Sequence, residues 1–406
     1  MEKYSLKSSK ENGRLRFVLG GRIDSTNSRV FAGEVAAELE KHPNSGVIFD
    51  CGGLEHLSSA GLRVFLALSG REGSQEGKRI RLVNVPQNIY DIFDMTGFSR
   101  IFEVSKALRD VSNEETRKMG YSSGITVYYI GEDTLMKVYP AGTSLESIEQ
   151  ERKYAQAALL SGIPTLIAYD VVTYQGHYGM LYELVKANTV AALLESSPWK
   201  LEQYAEKMGR LLKRIHSSVP KDVTLPRAPE IYKNWAYMMA PWLHSQEINA
   251  LTRLIEVVPE EETVVYGNFN ARSVFIQHGE PILINMAGIS SGNPVYDLGT
   301  AYMFYRNESE DLIKRFSGLE PFQAERFWNA MIRAYFNDDG DAVGRYEETI
   351  RAAALLRSVL YPAAYRASHG SDMTAEDAEL FVAQARRDLF PSANHLTLLL
   401  GFAKFV

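Results

Sequence analysis

The sequence predicts two domains: a small α/β domain in which helices pack on a sheet, then a larger α+β domain of two lobes. Three observations carry this. Short apolar strands alternate with amphipathic helical segments over the first hundred residues, the pattern of helices packed on a sheet. Residues 105–118, SKALRDVSNEETRK, are polar and charged with little apolar content, which marks a boundary. Beyond it, a strand-rich part runs to Val185 and a largely helical part follows from residue 200, the order expected of two lobes.

Composition limits the function classes. A chain of 406 residues has room for two or three domains. Its hydrophobic fraction of 45% and charged fraction of 23% are ordinary for a globular protein. A net charge of −6 argues against nucleic-acid partners, which need concentrated Lys and Arg. The single cysteine, Cys51, excludes an intrachain disulfide and a Cys-rich zinc site. The start, MEKYSLKSSKENGRLRF, lacks the apolar core of a secretory signal. No apolar run approaches the roughly 20 residues of a membrane helix. A cytoplasmic protein with no membrane insertion is expected.

In the first domain, Leu15–Leu19 alternates apolar and charged residues, which suits a half-buried strand. Gly20-Gly21 breaks it. A helix is predicted over 27–42 with Val30, Val35, Ala36 and Leu39 near helical spacing. Val47-Ile48-Phe49 is a short buried strand ending at Asp50, followed by CGGLEHLSSAG as a loop and a helix carrying Leu62, Phe65, Leu66 and Leu68. Ile80–Val83 is a strand, Pro86 fits the first turn of the next helix, and Ile101–Val104 closes the unit. The serine pair in Leu57-Ser58-Ser59-Ala60-Gly61-Leu62 precedes an apolar helical run. Such a pair is a helix N-cap by the capping preference. The same helix start also tolerates negative charge, so a phosphate on a serine is compatible with it.

The stretches GRIDSTNS, VIFDCGGLEHLSSAGLRVFLAL and RLVNVPQNIYDIFDMTGFSRIFEV resemble the STAS domain of bacterial anti-sigma-factor antagonists, over roughly residues 4–112. The resemblance implies an α/β fold with helices on a mixed sheet, and domain boundaries of 1–112, a linker at 113–119 and a second domain at 120–406. It also implies an anti-sigma factor of the serine-kinase type as partner, with a phosphoserine phosphatase as a further one. In that family the serine of an Asp-Ser-Ser/Thr-Gly-Leu motif is phosphorylated. Carried over, that residue is Ser59, with Ser58 the alternative. The family's preceding Asp falls on Ser58 and its following residue on Ala60.

In the second domain, Gly120-Tyr121-Ser122-Ser123-Gly124 reads as a flexible loop leading into Ile125–Ile130. Gly131-Glu132-Asp133 turns the chain into Leu135–Tyr139, so this is a hairpin with a lone Lys137 in an apolar strand. A lysine in a strand is ordinarily solvent-facing. A helix over roughly 144–161 carries Glu149 and Glu151, and strand-like runs end at Met180–Val185. Ala205, Met208, Leu211, Leu212 and Ile215 lie on one helical face before His216. The order of Gly loop, strand Lys, helix Glu, hinge at Glu183–Val185 and the helix ending at His216 resembles the aminoglycoside-phosphotransferase branch of the protein-kinase-like fold. The segment Gly292-Asn293-Pro294-Val295-Tyr296-Asp297-Leu298-Gly299 is similar to that family's Gly-x-Pro-x-x-Asp-Leu element. The resemblance covers roughly 115–390 and implies a bilobal fold. It implies nucleotide contacts at Lys137, Glu151 (Glu149 the alternative), Glu183 and Val185.

Phosphoryl transfer is mainly positioning and charge neutralisation. The family supplies a catalytic loop similar to His-Gly-Asp-Phe-His-Pro-Gly-Asn-Val and then an Ile-Asp strand for magnesium. This chain reads Tyr266-Gly267-Asn268-Phe269-Asn270-Ala271-Arg272-Ser273-Val274, then Ile284-Asn285-Met286. Asn268 stands at the base position, and Ser273 and Asn285 at the metal positions. An amide neither takes up a proton as a carboxylate does nor carries the charge that holds magnesium. The expectation is a pseudokinase with no tightly held metal, in which ATP or ADP binds without magnesium or Lys137 and Glu151 persist as an ion pair alone. The alternatives are an active phosphotransferase with non-standard residues and a scaffold in which neither domain binds a small ligand.

Overall fold

Strand β1 (Ser5–Glu11) pairs antiparallel with β2 (Arg14–Ile23) in the first of two compact units, Met1–Asp110 and Val111–Val406. The computed structural model describes residues 4–11, 14–42, 46–69, 80–98, 101–122, 125–184, 187–219, 223–369 and 373–405. Helix α1 (Ser28–Lys41) leads to β3 (Gly46–Leu57), α2 (Ser59–Ser69) to β4 (Arg81–Val85), and α3 (Gln87–Met95) to β5 (Glu103–Lys106). The sheet order is β1-β2-β3-β4-β5, parallel from β2 onward and antiparallel at β1, so the sheet is mixed. Each parallel step needs a crossover, and the three helices provide them.

Period-two alternation sends Leu15, Phe17 and Leu19 into one core with Phe31, Val35, Phe65 and Phe93. Phe17 stacks on Phe49 at 5.1 Å, and Phe65 meets Phe49 edge-on at 5.0 Å. Arg16 and Val18 take the other face.

Three local readings change. The segment Cys51–Leu57, expected as a loop, continues β3. Its glycine pair breaks the apolar pattern but serves the sheet: a Cβ on Gly53 would lie 2.9 Å from the Leu19 carbonyl oxygen. In α1 the buried face is Ser28, Phe31 and Val35, while Val30 is exposed. Residues 113–119, expected as a linker, include the start of a strand, Thr116–Ser122, which also takes in Gly120–Ser122 of the expected loop.

The first unit ends with the short strand β6 (Arg109–Asp110), and the second is built on β7 (Thr116–Ser122), β8 (Ile125–Ile130), β9 (Thr134–Val138), β10 (Ala168–Tyr174) and β11 (His177–Glu183), in the order β10-β11-β9-β8-β7. Helix α4 (Leu145–Leu160) follows β9, and its N-cap Ser144 side chain accepts the Ser147 N–H at 3.1 Å. After β12 (Asn188–Thr189) the chain is mainly helical: α5 (Val190–Ser196), α6 (Leu201–His216), α7 (Ala228–Met238) and α8 (Ser245–Glu256). Short strands β13 (Val264–Val265), β14 (Val274–Gln277), β15 (Glu280–Leu283) and β16 (Ser290–Ser291) interrupt it before α9 (Val295–Tyr305), α10 (Glu310–Ser317) and α11 (Pro321–Tyr335). A strand-rich lobe thus precedes a helical one. Gly209 lets α6 lie directly against the α11 backbone at Met331. No helix among the described residues is long and apolar enough to cross a membrane.

Candidate functional site

In the first unit the two serines have different tasks. Ser58 precedes α2, and its hydroxyl accepts the Gly61 N–H at 3.3 Å while its carbonyl accepts the Leu62 N–H at 2.9 Å. Ser58 is therefore the cap. Ser59 is the first helical residue and is exposed. Gly61 is small for a packing reason: a Cβ there would meet Leu57 Cδ1 at 2.5 Å and Ile23 Cγ2 at 2.9 Å. Ser58→Ala is expected to cost about 1 kcal/mol, the typical value of an N-cap, measured by denaturant unfolding of the full chain. A loss below the error of the measurement would deny Ser58 the capping role.

Asp50 ends the alternating part of β3 and accepts from Arg16 at 2.6 Å, Asn84 Nδ2 at 3.0 Å and the Gly52 N–H at 3.1 Å. Burial raises its carboxyl, but the Arg16, Asn84 and Gly52 donors outweigh that and hold it below its ordinary value. Burial, with a smaller push from Asp50, drives the neighbouring Cys51 thiol up to about 12, so this cysteine is a core residue and not a nucleophile.

In the second unit Lys137 lies on β9 and is buried, contrary to the solvent-facing habit of strand lysines. Its ammonium donates to Glu151 Oε1 at 2.6 Å and to Asn285 Oδ1 at 3.3 Å. Glu149 is engaged elsewhere, with Arg152 at 2.8 Å. Tyr139 was not foreseen in this cluster. It sits two residues on, just past the end of β9, where its N–H still pairs with the Tyr178 carbonyl at 2.9 Å, and it donates its hydroxyl to Glu151 Oε2 at 2.8 Å. Burial first, and then the charge of Glu151, push the Tyr139 hydroxyl far up, so it stays a donor. The Lys-x-Tyr spacing is the sequence signal for it. Glu183 ends β11, exposed and paired with Thr134. Val185 lies outside the described residues.

The loop Tyr266–Val274 is folded on itself. Ser273 Oγ donates to the Asn268 carbonyl at 2.7 Å and accepts the Asn270 N–H at 3.0 Å. Asn270, 5% exposed, accepts the Arg272 N–H at 2.8 Å and donates to Asn268 Oδ1 at 3.0 Å. Gly267 has φ +85°, and a Cβ there would come within 2.9 Å of the Gly288 carbonyl. The loop therefore runs close beside the segment that begins at Asn285. Asn268 and Asn285 are both exposed.

Asp297, in the first turn of α9, holds this loop from below. It is fully buried and accepts from the backbone N–H groups of Tyr266 at 2.6 Å and Gly267 at 2.7 Å and from His216 Nε2 at 3.1 Å. His216 Nδ1 then meets the Tyr335 hydroxyl at 2.9 Å. The imidazole thus bridges the Asp297 carboxylate and the Tyr335 hydroxyl. Among the described residues no group of three or more His, Cys, Asp or Glu side chains is placed to hold a metal ion. Two amides and a hydroxyl spent on its own loop do not fit magnesium.

The STAS domain family matches residues 7–111, and the phosphotransferase enzyme family matches residues 120–320. A Bordetella bronchiseptica protein named as an anti-sigma factor antagonist, BtrV, is 31% identical over 102 residues, which are 25% of this chain and 86% of that one. The chain joins a STAS domain to a phosphotransferase-family domain. Similar solved structures include a choline/ethanolamine kinase family protein from Mesorhizobium loti, 12% identical, with a TM-score of 0.48, covering 72% of this chain and 94% of that one. An ADP-bound aminoglycoside phosphotransferase is 13% identical, with a TM-score of 0.43, covering 73% and 97%. In the STAS domain Ser59 heads α2, in the serine-pair motif. In the phosphotransferase-family domain Lys137 and Asn285 are brought into contact, and the Asn268 loop passes close to the Gly288 backbone.

Proposed function

We propose that this is a non-catalytic regulatory protein of a sigma-factor pathway. Its STAS domain binds an anti-sigma factor, and its phosphotransferase-family domain senses a ligand or docks a partner. The observation that carries the second half is the loop geometry: the groups at the base and metal positions are Asn268, Ser273 and Asn285, and Ser273 is consumed inside the loop. Losing a positioned acid–base group costs about 10²–10⁴ in rate. ATP turnover with Mg²⁺ or Mn²⁺ is therefore expected at background, equal in wild type and Asn268→Ala. Turnover that depends on Asn268 would establish the competing reading, an active phosphotransferase.

The first half rests on the family of the STAS domain and on the exposure of Ser59 beside a capped helix start. A phosphate there adds nearly two negative charges, and an external serine kinase and a phosphatase set its level. Ser59→Asp is expected to weaken capture of an anti-sigma factor by about tenfold. Equal affinity of Ser59→Asp and wild type removes the phospho-switch, and absence of any STAS-dependent anti-sigma partner in pull-down removes the partner class.

A further inference from the structure

One buried charge in the phosphotransferase-family domain lacks a counter-charge among the described residues. Near the end of α12 (Gly340–Val359) stands Arg357, 5% exposed. Its Nε and Nη1 are enclosed and have no hydrogen-bond partner. The other charged side chains buried among the described residues, Lys137, Glu151 and Asp297, are all paired. What surrounds Arg357 is aromatic. Its guanidinium carbon lies 5.0 Å from the centre of the Trp235 ring, on α7, and 5.4 Å from that of Tyr361, which opens α13 (Tyr361–His369). A ring face attracts a cation, but it brings no net charge and no lone pair for these N–H groups. The neighbouring acid is engaged as well. Asp377 is close enough for its charge to act on the Tyr361 hydroxyl, yet it is paired with Arg315 at 2.9 Å. Around Tyr361, two guanidiniums thus share one carboxylate, a local excess of one positive charge among the described residues.

An uncompensated buried charge is costly, and an apolar residue of similar volume fills such a place without that cost. Packing therefore does not explain an arginine here. The walls add a second observation: Trp235 and Tyr361 are only half-buried, so they extend from the guanidinium to the surface. We propose that Arg357, Trp235 and Tyr361 form a receptor for a small organic carboxylate with an apolar body. The carboxylate accepts from the guanidinium and supplies the missing charge, and the body lies along the rings. Entry moves the Trp235 ring aside, exchanging a cation–π contact for charge-assisted hydrogen bonds, the stronger interaction. One excess positive charge matches a monoanion. The site uses none of Lys137, Glu151, Asn268 or Asn285. It gives the ligand-sensing part of the proposed function a chemistry and rests on that reading in this respect alone.

The test is titration of the full chain with sodium benzoate at constant ionic strength, followed by tryptophan fluorescence and by thermal unfolding. Benzamide serves as the uncharged counterpart and inorganic phosphate as an anion without an apolar body. Benzoate is expected to give a saturable fluorescence change and to raise the melting temperature; the other two are expected to do neither. Arg357→Met is expected to abolish the benzoate response and to leave the unliganded chain at least as stable as wild type, because it removes an uncompensated charge. Arg357→Lys keeps the charge but loses the planar fork, and is expected to bind benzoate about tenfold more weakly. Absence of a saturable benzoate response in wild type, an equal response to benzamide or phosphate, or an unchanged response in Arg357→Met overturns the proposal. So does an Arg357→Met chain that melts several degrees below wild type or fails to fold, since the guanidinium would then be serving the fold. ATP turnover by wild type would overturn the non-catalytic reading and leave the benzoate result standing, so the two failures are distinct.

Discussion

Asp297→Ala is expected to destabilise the phosphotransferase-family domain by about 3–5 kcal/mol, the lower part of the summed cost of leaving three buried donors unsatisfied. The carboxylate is fully buried and collects three donors: two backbone N–H groups at the mouth of the Asn268 loop and His216 Nε2. Alanine leaves all three donors without an acceptor, and each unsatisfied buried group costs roughly 1–3 kcal/mol. It also removes a negative charge from the first turn of α9, where the helix dipole favours one. Asp297→Asn tests the charge separately. Its one oxygen serves one or two of the donors, and its NH₂ then confronts another, so it should recover only part of the loss. Thermal unfolding of the full chain, followed with the second domain's aromatic signal, should fall by roughly 10 °C for Ala, taking about 2–4 °C per kcal/mol for a domain of this size. A shift under about 2 °C would mean the loop is held by something else. The prediction is independent of catalysis, which gives Asp297 a reason to persist in a domain proposed to have no chemistry.

How much of this was legible in the sequence depends on the range of the interaction. The parallel core of the STAS domain follows from local alternation, because Leu15, Phe17 and Leu19 carry their burial in their spacing. Strand β1 does not, since SLKSSKE is an edge strand with polar side chains, a composition that keeps edges from pairing with other molecules. CGGLEHL reads as a loop because glycines ordinarily interrupt strands, whereas here they permit close backbone approach. The positions of Lys137, Glu151, Asn268 and Asn285 were found only because several modest motifs occur in order. The Lys137–Glu151 pair is legible from that order, but the longer-range contacts are not: Lys137 meets Asn285 across 148 positions of chain, and Asp297 meets His216 across 81.

The second large effect concerns the Lys137–Glu151 pair. Glu151→Leu leaves a buried ammonium without its counter-ion and is expected to cost about 3–5 kcal/mol. Lys137→Met combined with Glu151→Leu should cost less than half of that, because two apolar residues of similar volume need no mutual compensation. One complication must be removed first. Glu151 also accepts the Tyr139 hydroxyl at 2.8 Å, and a leucine would orphan that donor in both variants. The comparison is therefore made in a Tyr139→Phe background, where no hydroxyl is left behind. Denaturant unfolding of the single and double variants gives the coupling directly. Equal losses would show that the ion pair is not what fixes β9 against α4. If the double variant is stable as expected, it separates architecture from recognition. The fold would stand without the ammonium, and any ligand affinity lost with it would belong to Lys137 as a binding group and not to a damaged scaffold.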